Sequence, residues 1–391
     1  MLGQLFSALV ELYYVLLEPL LVRYAGFSYG LGDATYGRDA LPYSDYEKEN
    51  IYENPEVRVV RRKVFLSHGT PILEAGLEEK VDALPTKHNN KPVTGWINYY
   101  IWELANAPPT CTSDLLTCAC RCAQRLMKAG FRTIAIDMPS FGRSTGLQAY
   151  LPSMMENPEA LDAVMRHVRF CDAENGDTAH RFRFAQGSSM GGFTALYHAA
   201  LNPPISPESL GGPAFGTVDR VSLDGVAVTA PMLRIAPESL PHPIVQFVAH
   251  IIMAIGGGRL ALARAIRGNV SDDPRVEEYA RQDPQVYQGY VRVSTGLNIV
   301  IGLQHLDILT PQIRCPVSLH HGANDRVTSP EGTRIFYELL QTKKKKIRVW
   351  PGIEHVMLKN LPDMSAADIA KREEILDDIT QFFLDIVHGT V

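Results

Sequence analysis

The five residues Gly187-Ser188-Ser189-Met190-Gly191 constrain this chain more than any other stretch. The run RFRFAQ comes directly before them and FTALYHAAL directly after, so the pentapeptide reads as a turn between a strand and a helix. A serine at such a turn sits in a strained backbone conformation. Gly187 and Gly191 must flank it because a side chain there would collide with the helix that follows. The turn holds a serine hydroxyl out at the carboxyl end of a strand, where a nucleophile is useful. A second G-x-S-x-G, Gly142-Arg143-Ser144-Thr145-Gly146, follows a loop containing Pro139 instead of a strand, so Ser144 reads as a loop residue and Ser189 as the candidate nucleophile.

A serine at its free pKa is a poor nucleophile and needs a general base oriented by a carboxylate. Downstream of Ser189 two strand ends offer these residue types. VSLHHGANDRV presents Asp325 just past one strand, and IRVWPGIEHVML presents His355 just past the next. The intervening length suits one helix and one strand, so adjacent parallel strands would bring the two loops together. His320 and His321 sit at the end of a strand and read as core or supporting residues. His305, Asp307, Glu354 and His388 are less well placed for the chemistry. A tetrahedral intermediate also needs two backbone N–H donors. Met190, after the nucleophile, supplies one, and His68-Gly69-Thr70 points to Thr70 as the other.

The rest of the chain places these residues in an α/β fold. From Arg58 onward, strand-like and helix-like runs alternate, which argues a mostly parallel central sheet with helices on both faces. Residues 1–57 read as an N-terminal amphipathic helix and an irregular lead-in, and 58–391 as one domain. Within that domain about 71–112 reads as an insertion and about 232–305 as a helical cap placed before the last strands.

The 38 basic and 43 acidic residues give a net charge of −5, which leaves no basic surplus for nucleic acid. Six cysteines, three in Cys118-Ala-Cys120-Arg-Cys122, lack the C-x₂-C spacing of structural zinc sites; they read as small buried residues in a reducing, cytoplasmic compartment. No metal, nucleotide or flavin motif is present, so no cofactor is expected; Gly256-Gly257-Gly258 lacks the preceding strand of a dinucleotide-binding turn. Residues 1–27 have no basic n-region and carry Glu11 and Glu18, features of neither a secretory signal nor a membrane span. At 100° per residue Gln4, Ser7, Glu11, Tyr14 and Glu18 share one side of a helix ending near Pro19. Two readings stay open: the helix packs on this protein or a second subunit, or it lies in a lipid surface as a peripheral anchor. Homo-oligomerisation is undetermined.

These residues together resemble the monoacylglycerol lipase group of the α/β-hydrolase superfamily, in its lysophospholipase and serine-aminopeptidase-like branch. The resemblance rests on His68-Gly69, on Asp137-Met-Pro-Ser-Phe-Gly-Arg-Ser144-Thr-Gly146 and on Gly187–Gly192. It continues through Ala230-Pro231-Met232-Leu233, Tyr279-Ala-Arg-Gln-Asp283-Pro284, His321-Gly-Ala-Asn-Asp325 and Gly352-Ile-Glu-His355. It implies a serine esterase hydrolysing acyl esters of glycerol, with a helical cap over an apolar tunnel. A lysophospholipase, thioesterase or short-chain carboxylesterase on the same residues is the alternative, and a non-catalytic lipid- or partner-binding member the rival from another class. The chain departs from the group in the forty residues that follow Thr70 and in its first sixty, which have no counterpart in compact members.

Overall fold

A computed structural model describes residues 8–390 except 82–83, 85, 107–112, 118–119, 178–180, 205–219, 236–241, 264–269 and 362. The strands of its central sheet are β1 (Val57–Ser67), β2 (Thr70–Pro71), β3 (Gly95–Leu104), β4 (Ser113–Thr117) and β5 (Arg132–Ile136). They continue with β6 (Phe182–Ser188), β7 (Gly225–Thr229), β8 (Val317–Gly322) and β9 (Lys345–Trp350). Their order across the sheet is β9-β8-β7-β6-β4-β5-β3-β1-β2. From β9 to β5 every neighbouring pair is parallel. β3 runs antiparallel to β5 and to β1.

The helices are α1 (Glu18–Ala25), α2 (Cys120–Lys128), α3 (Glu156–Glu174), α4 (Met190–Leu201) and α5 (Pro243–Ala254). After them come α6 (Pro274–Gln282), α7 (Val293–Leu309), α8 (Pro330–Leu339) and α9 (Ala366–Val387). The period-2 alternation of the strands divides the core in two. Tyr99, Ile134, Ile136, Ala185, Val226 and Val228 face α3 and α4. Phe184 and Ala227 pack with Ile375, Ile379 and Phe383 of α9, while Tyr100, Trp102 and Ala135 pack with Ala123 and Met127 of α2.

The stretch 71–112 is not an insertion outside the core. Residues Gly95–Leu104 form β3, a strand paired over its length with β1 and buried along most of it. Its aromatic run GWINYYIWEL lacks the polar–apolar alternation of an exposed strand because both of its faces are covered. In the neighbouring β4, Thr117 lies opposite Ala135 and Leu116 opposite Ala185.

The N-terminal helix does not end near Pro19 but continues to Ala25, where Gly26 caps it in the left-handed region at φ 70°. A π-helical stretch, Tyr13–Leu17, precedes Pro19, which stands in the first turn of α1, where its missing N–H costs nothing. The orientation of this helix is unusual. Its polar side faces the protein: Arg292 pairs with Glu11 at 2.7 Å, Arg259 donates to the Tyr14 carbonyl at 2.8 Å, and Glu18 is fully buried. Leu9, Leu12, Leu16, Leu17 and Leu20 are exposed on the other side. The lead-in then runs over the core, Arg38 donating to the carbonyls of Gly142 and Ser144 at 2.8 and 2.6 Å. Among the described residues no helix is long and apolar enough to cross a membrane.

Candidate active site

Ser189 follows the last residue of β6 and opens α4 with φ +54° and ψ −116°, a strained conformation for a residue with a side chain. The neighbouring chain enforces it. The Ser189 N–H donates to the Thr229 carbonyl at 3.1 Å, and the Ser189 carbonyl accepts from Met232 N–H at 3.0 Å. A Cβ on Gly187 would lie 2.2 Å from the Gly191 carbonyl oxygen, and one on Gly192 would lie 3.0 Å from Cβ of Pro231. So β6 and α4 can approach this closely only with glycine at 187, and α4 lies tight against the segment after β7 at Gly192.

Asp325 and His355 come from the loops after β8 and β9. Their meeting depends on Gly322 at the end of β8, where a Cβ would lie 2.3 Å from the Ile353 carbonyl oxygen. The loop bearing His355 is thereby laid on the one bearing Asp325, held by Ala323 N–H to Trp350 carbonyl at 2.9 Å and Asn324 N–H to Ile353 carbonyl at 3.0 Å. His355 Nδ1 lies 2.8 Å from Asp325 Oδ2. The other Asp325 oxygen accepts the N–H groups of Val327 and Thr328 at 2.8 and 3.0 Å. Burial would push this carboxyl up, but the hydrogen bonds from His321 and His355, the His355 charge and the Thr328 N–H outweigh it and hold Asp325 well below the usual carboxylate range.

His321 stands beside the acid. Its Nε2 lies 3.1 Å from Asp325 Oδ2 and its Nδ1 2.7 Å from the Thr333 hydroxyl. His320 is buried against Ser318 and Trp350, and burial lowers its pKa so that the ring stays neutral. Asp307 pairs with Arg234 at 2.8 Å, and Glu354 binds Ser271 and Asp272. Thr328 went unnoticed in the sequence. Its hydroxyl stands 2.8 Å from Asp325 Oδ2, 3.4 Å from His355 Nδ1 and 3.3 Å from the Ala230 carbonyl. It thus links the acid–base pair to the 229–232 segment that holds the backbone of Ser189. No sequence signal beyond its position three residues after Asp325 could have singled it out.

No hydrogen bond joins Ser189 to His355 among the described residues; a serine and its base without ligand are commonly looser than in the complex.

Met190 begins α4 beside the nucleophile. Thr70 does not join it. β2 lies at the far edge of the sheet, five strand positions from β6, or roughly 24 Å at the usual strand spacing. Thr70 instead shares a separate hollow with His68, Met155 and Glu159. The HGT run misled because its strand, β1, enters the sheet at the edge, whereas the strand beside β6 is β4. Residues 118–119, next in the chain after β4, lie outside the described residues, as does Cys111. Ser144 is fully buried, donating to the Asp137 carbonyl at 2.6 Å and accepting from Asn98 N–H at 2.9 Å, as a loop-closing residue does.

A cavity of about 400 Å³ opens beside Ser189 and Met190. It is lined from the α3 and α4 side by Leu161, Thr194 and Ala195, and from the α2 side by Tyr100, Trp102 and Ala135. Its lining thus comes from residues on both faces of the sheet. Glu47 and Tyr52 of the N-terminal segment and Gln285 from between β7 and β8 complete its wall. Burial raises the carboxyl pKa of both Glu47 and Asp137 above the ordinary value.

A mostly parallel sheet in which β2 and β3 run against the rest, a strained serine between β6 and α4, and an acid and a histidine at the ends of β8 and β9 define the α/β-hydrolase class. Within it, residues 116–362 match the family described as serine aminopeptidase, S33, and the chain belongs to that family. It is 26% identical over 265 residues to a monoacylglycerol lipase of Mycolicibacterium smegmatis, covering 67% of this chain and 81% of the relative. It is 24% identical over 256 residues to the caffeoylshikimate esterase of Arabidopsis thaliana, covering 65% and 71%. Among solved structures it resembles the Paleococcus ferrophilus monoacylglycerol lipase at TM-score 0.55 and 22% identity, over 70% of this chain and 94% of that one. A soluble variant of the Saccharomyces cerevisiae monoglyceride lipase matches at TM-score 0.57 and 15% identity, over 74% and 91%. These likenesses agree on the fold and on a family of hydrolases.

Proposed function

We propose that this protein is a serine-dependent carboxylic ester hydrolase acting on acyl esters of glycerol through an acyl-enzyme on Ser189. The observation that carries the reading is the pair of His355 and the buried Asp325, 2.8 Å apart, at the same end of the sheet as the strained Ser189 turn. In this reading His355 Nε2 takes the Ser189 hydroxyl proton as the oxygen attacks the ester carbonyl, and the electron pair of the broken π bond moves onto the carbonyl oxygen. The Met190 N–H at the start of α4 meets that developing charge. Asp325, held ionised by its donors, keeps the Nδ1 proton of His355 in place while the ring is charged. His355 then gives its proton to the departing alcohol, and water attacks the acyl-enzyme with the same residue as base.

Glycerol esters are the substrate class suggested by the lipase relatives. The outward apolar side of the N-terminal helix supports contact with a lipid surface, as do the exposed Ile244, Phe247, Ile251 and Ile255 around α5. Free thiols at Cys122, Cys171 and Cys315 suit a reducing, cytoplasmic compartment.

Turnover of monoacylglycerol, lysophospholipid and short 4-nitrophenyl esters, each compared with Ser189→Ala, tests the reading. The expected result is monoacylglycerol hydrolysis and fluorophosphonate labelling, both lost in the variant. Labelling that persists in Ser189→Ala overturns the nucleophile, and a preference for lysophospholipid overturns the substrate class.

A further inference from the structure

We infer that His321 is a positioning residue: a neutral imidazole, protonated on Nε2, that donates to Asp325 and thereby helps the acid leave the Nδ1 proton on His355 during the reaction. The inference rests on the reading of Ser189, Asp325 and His355 as the reacting residues and adds a fourth side chain behind them. Residues 318–333 build it locally. Successive side chains of β8 leave opposite faces of the strand, so His320 turns to Ser318 and Trp350 while His321 turns to the chain that follows it. After Gly322 that chain reverses, with Asp325 N–H donating to the Gly322 carbonyl at 3.3 Å, and the carboxylate comes back over the strand end. Ser329 then starts α8 by accepting from Gly332 N–H at 3.0 Å, which sets Thr333 in the first turn of the helix. His321 is left between two partners. Its Nε2 lies 3.1 Å from Asp325 Oδ2 and its Nδ1 2.7 Å from the Thr333 hydroxyl.

Burial and hydrogen bonding fix the tautomer. His321 and Thr333 are both 0% exposed, so neither can turn to bulk water. An ionised carboxylate only accepts, which puts a proton on Nε2, and the Nδ1 lone pair then takes the Thr333 O–H. The other tautomer would aim a lone pair at the carboxylate and leave the Thr333 proton without an acceptor among the described residues; a doubly protonated ring would strand that proton as well. Thr328, whose hydroxyl is 3.3 Å from the same Nε2, directs its proton to Asp325 Oδ2 at 2.8 Å instead. The consequence falls on the acid. Burial pushes its carboxyl up, and the His321 hydrogen bond leads the influences that bring it below the usual range, ahead of the bond from His355. With its charge drawn toward His321, the carboxylate is a weaker base toward the proton of His355, which must stay on the ring while the ring is charged. His321 thus acts through Asp325, without touching the substrate.

The test joins kinetics to proton NMR of protein labelled at its histidine nitrogens. His321→Phe keeps a ring in place and removes the donor. Its kcat toward 4-nitrophenyl butyrate should fall about ten- to hundredfold, the range of one hydrogen bond to a charged group, with KM within about twofold of wild type. His321→Gln, whose amide N–H can reach Asp325, should return kcat to within about threefold of wild type. In the unmodified protein two low-field imidazole resonances are expected, from His355 Nδ1–H and His321 Nε2–H, the second identified by its loss in His321→Phe. The His355 resonance should move to still lower field in that variant, because the carboxylate then draws its proton harder. Loss of packing alone would loosen the pair and move it to higher field. An unchanged kcat in His321→Phe, equal losses in the Phe and Gln variants, or a shift to higher field overturns the role. Should His321→Phe fail to fold, the nitrogen shifts of His321 in the unmodified protein decide: the Nε2–H pattern supports the role, and an Nδ1–H or doubly protonated pattern overturns it. Failure of the Ser189 reading looks different, since turnover would then survive in Ser189→Ala while both low-field resonances stayed in place.

Discussion

At the scale of single residues, Asp325 is the most heavily constrained polar group of the site. It takes hydrogen bonds from His321, His355, the Thr328 hydroxyl and two backbone N–H groups while lying 7% exposed. Its carboxyl pKa is depressed in the folded protein, so the stability it contributes is fully present above the ordinary carboxylate pKa near ~4 and is lost as pH falls through the lower folded value. Asp325→Asn removes the charge but not the shape. The expected outcome is a fall in kcat of about 10³–10⁴ with little change in KM, as the imidazole loses its orientation and the stabilisation of its charged form. Melting curves should show a gap between wild type and Asp325→Asn at pH 7 that narrows as pH drops below ~4. A gap that stays constant to pH 2 would contradict the ionised assignment.

At the scale of elements, the N-terminal helix carries the most consequence. The helix is bound by its polar side through Glu11 and Glu18 to Arg292 and Arg259, which leaves a leucine face outward. Docking by ion pairs and exposure of the apolar side invert the usual arrangement of a surface helix. If that face enters lipid, Leu16→Gln with Leu20→Gln should lower cosedimentation with phosphatidylcholine vesicles by about tenfold or more, each substitution removing apolar burial of about 1.5–3 kcal/mol. Hydrolysis of a water-soluble short ester should be unchanged. Equal sedimentation of both proteins would assign the face to something other than lipid.

At the scale of the whole molecule, the N-terminal segment fastens the β7–β8 excursion to the core. Glu18, 0% exposed, accepts from Gly30 N–H and the Tyr36 hydroxyl, both at 2.7 Å, and from Arg259 at 3.0 Å, so one carboxylate joins three stretches of chain. Glu18→Ala leaves Arg259 without this carboxylate, and a loss of about 3–5 kcal/mol is expected. Denaturant unfolding should report it, and the Glu18→Ala/Arg259→Ala double variant should be less destabilised than the sum of the single changes. Strict additivity would mean that the two residues act independently. Much of this molecule is legible in the chain. The strand–turn–helix around Ser189, the acid and histidine after late strands and the alternating α/β rhythm depend on local spacing and periodicity, which a linear sequence carries directly. Thr70 and the 71–112 stretch misled because strand order is not written in sequence order: the HGT turn lies at an edge, and the aromatic run of β3 is covered on both faces. The same holds for the inward polar side of the N-terminal helix, whose periodicity shows two faces but not which of them meets Arg259 and Arg292. Local chemistry is encoded residue by residue. Which surfaces face one another, and hence the shape of the cavity beside Ser189, follows from long-range packing that becomes defined only when the sheet has assembled.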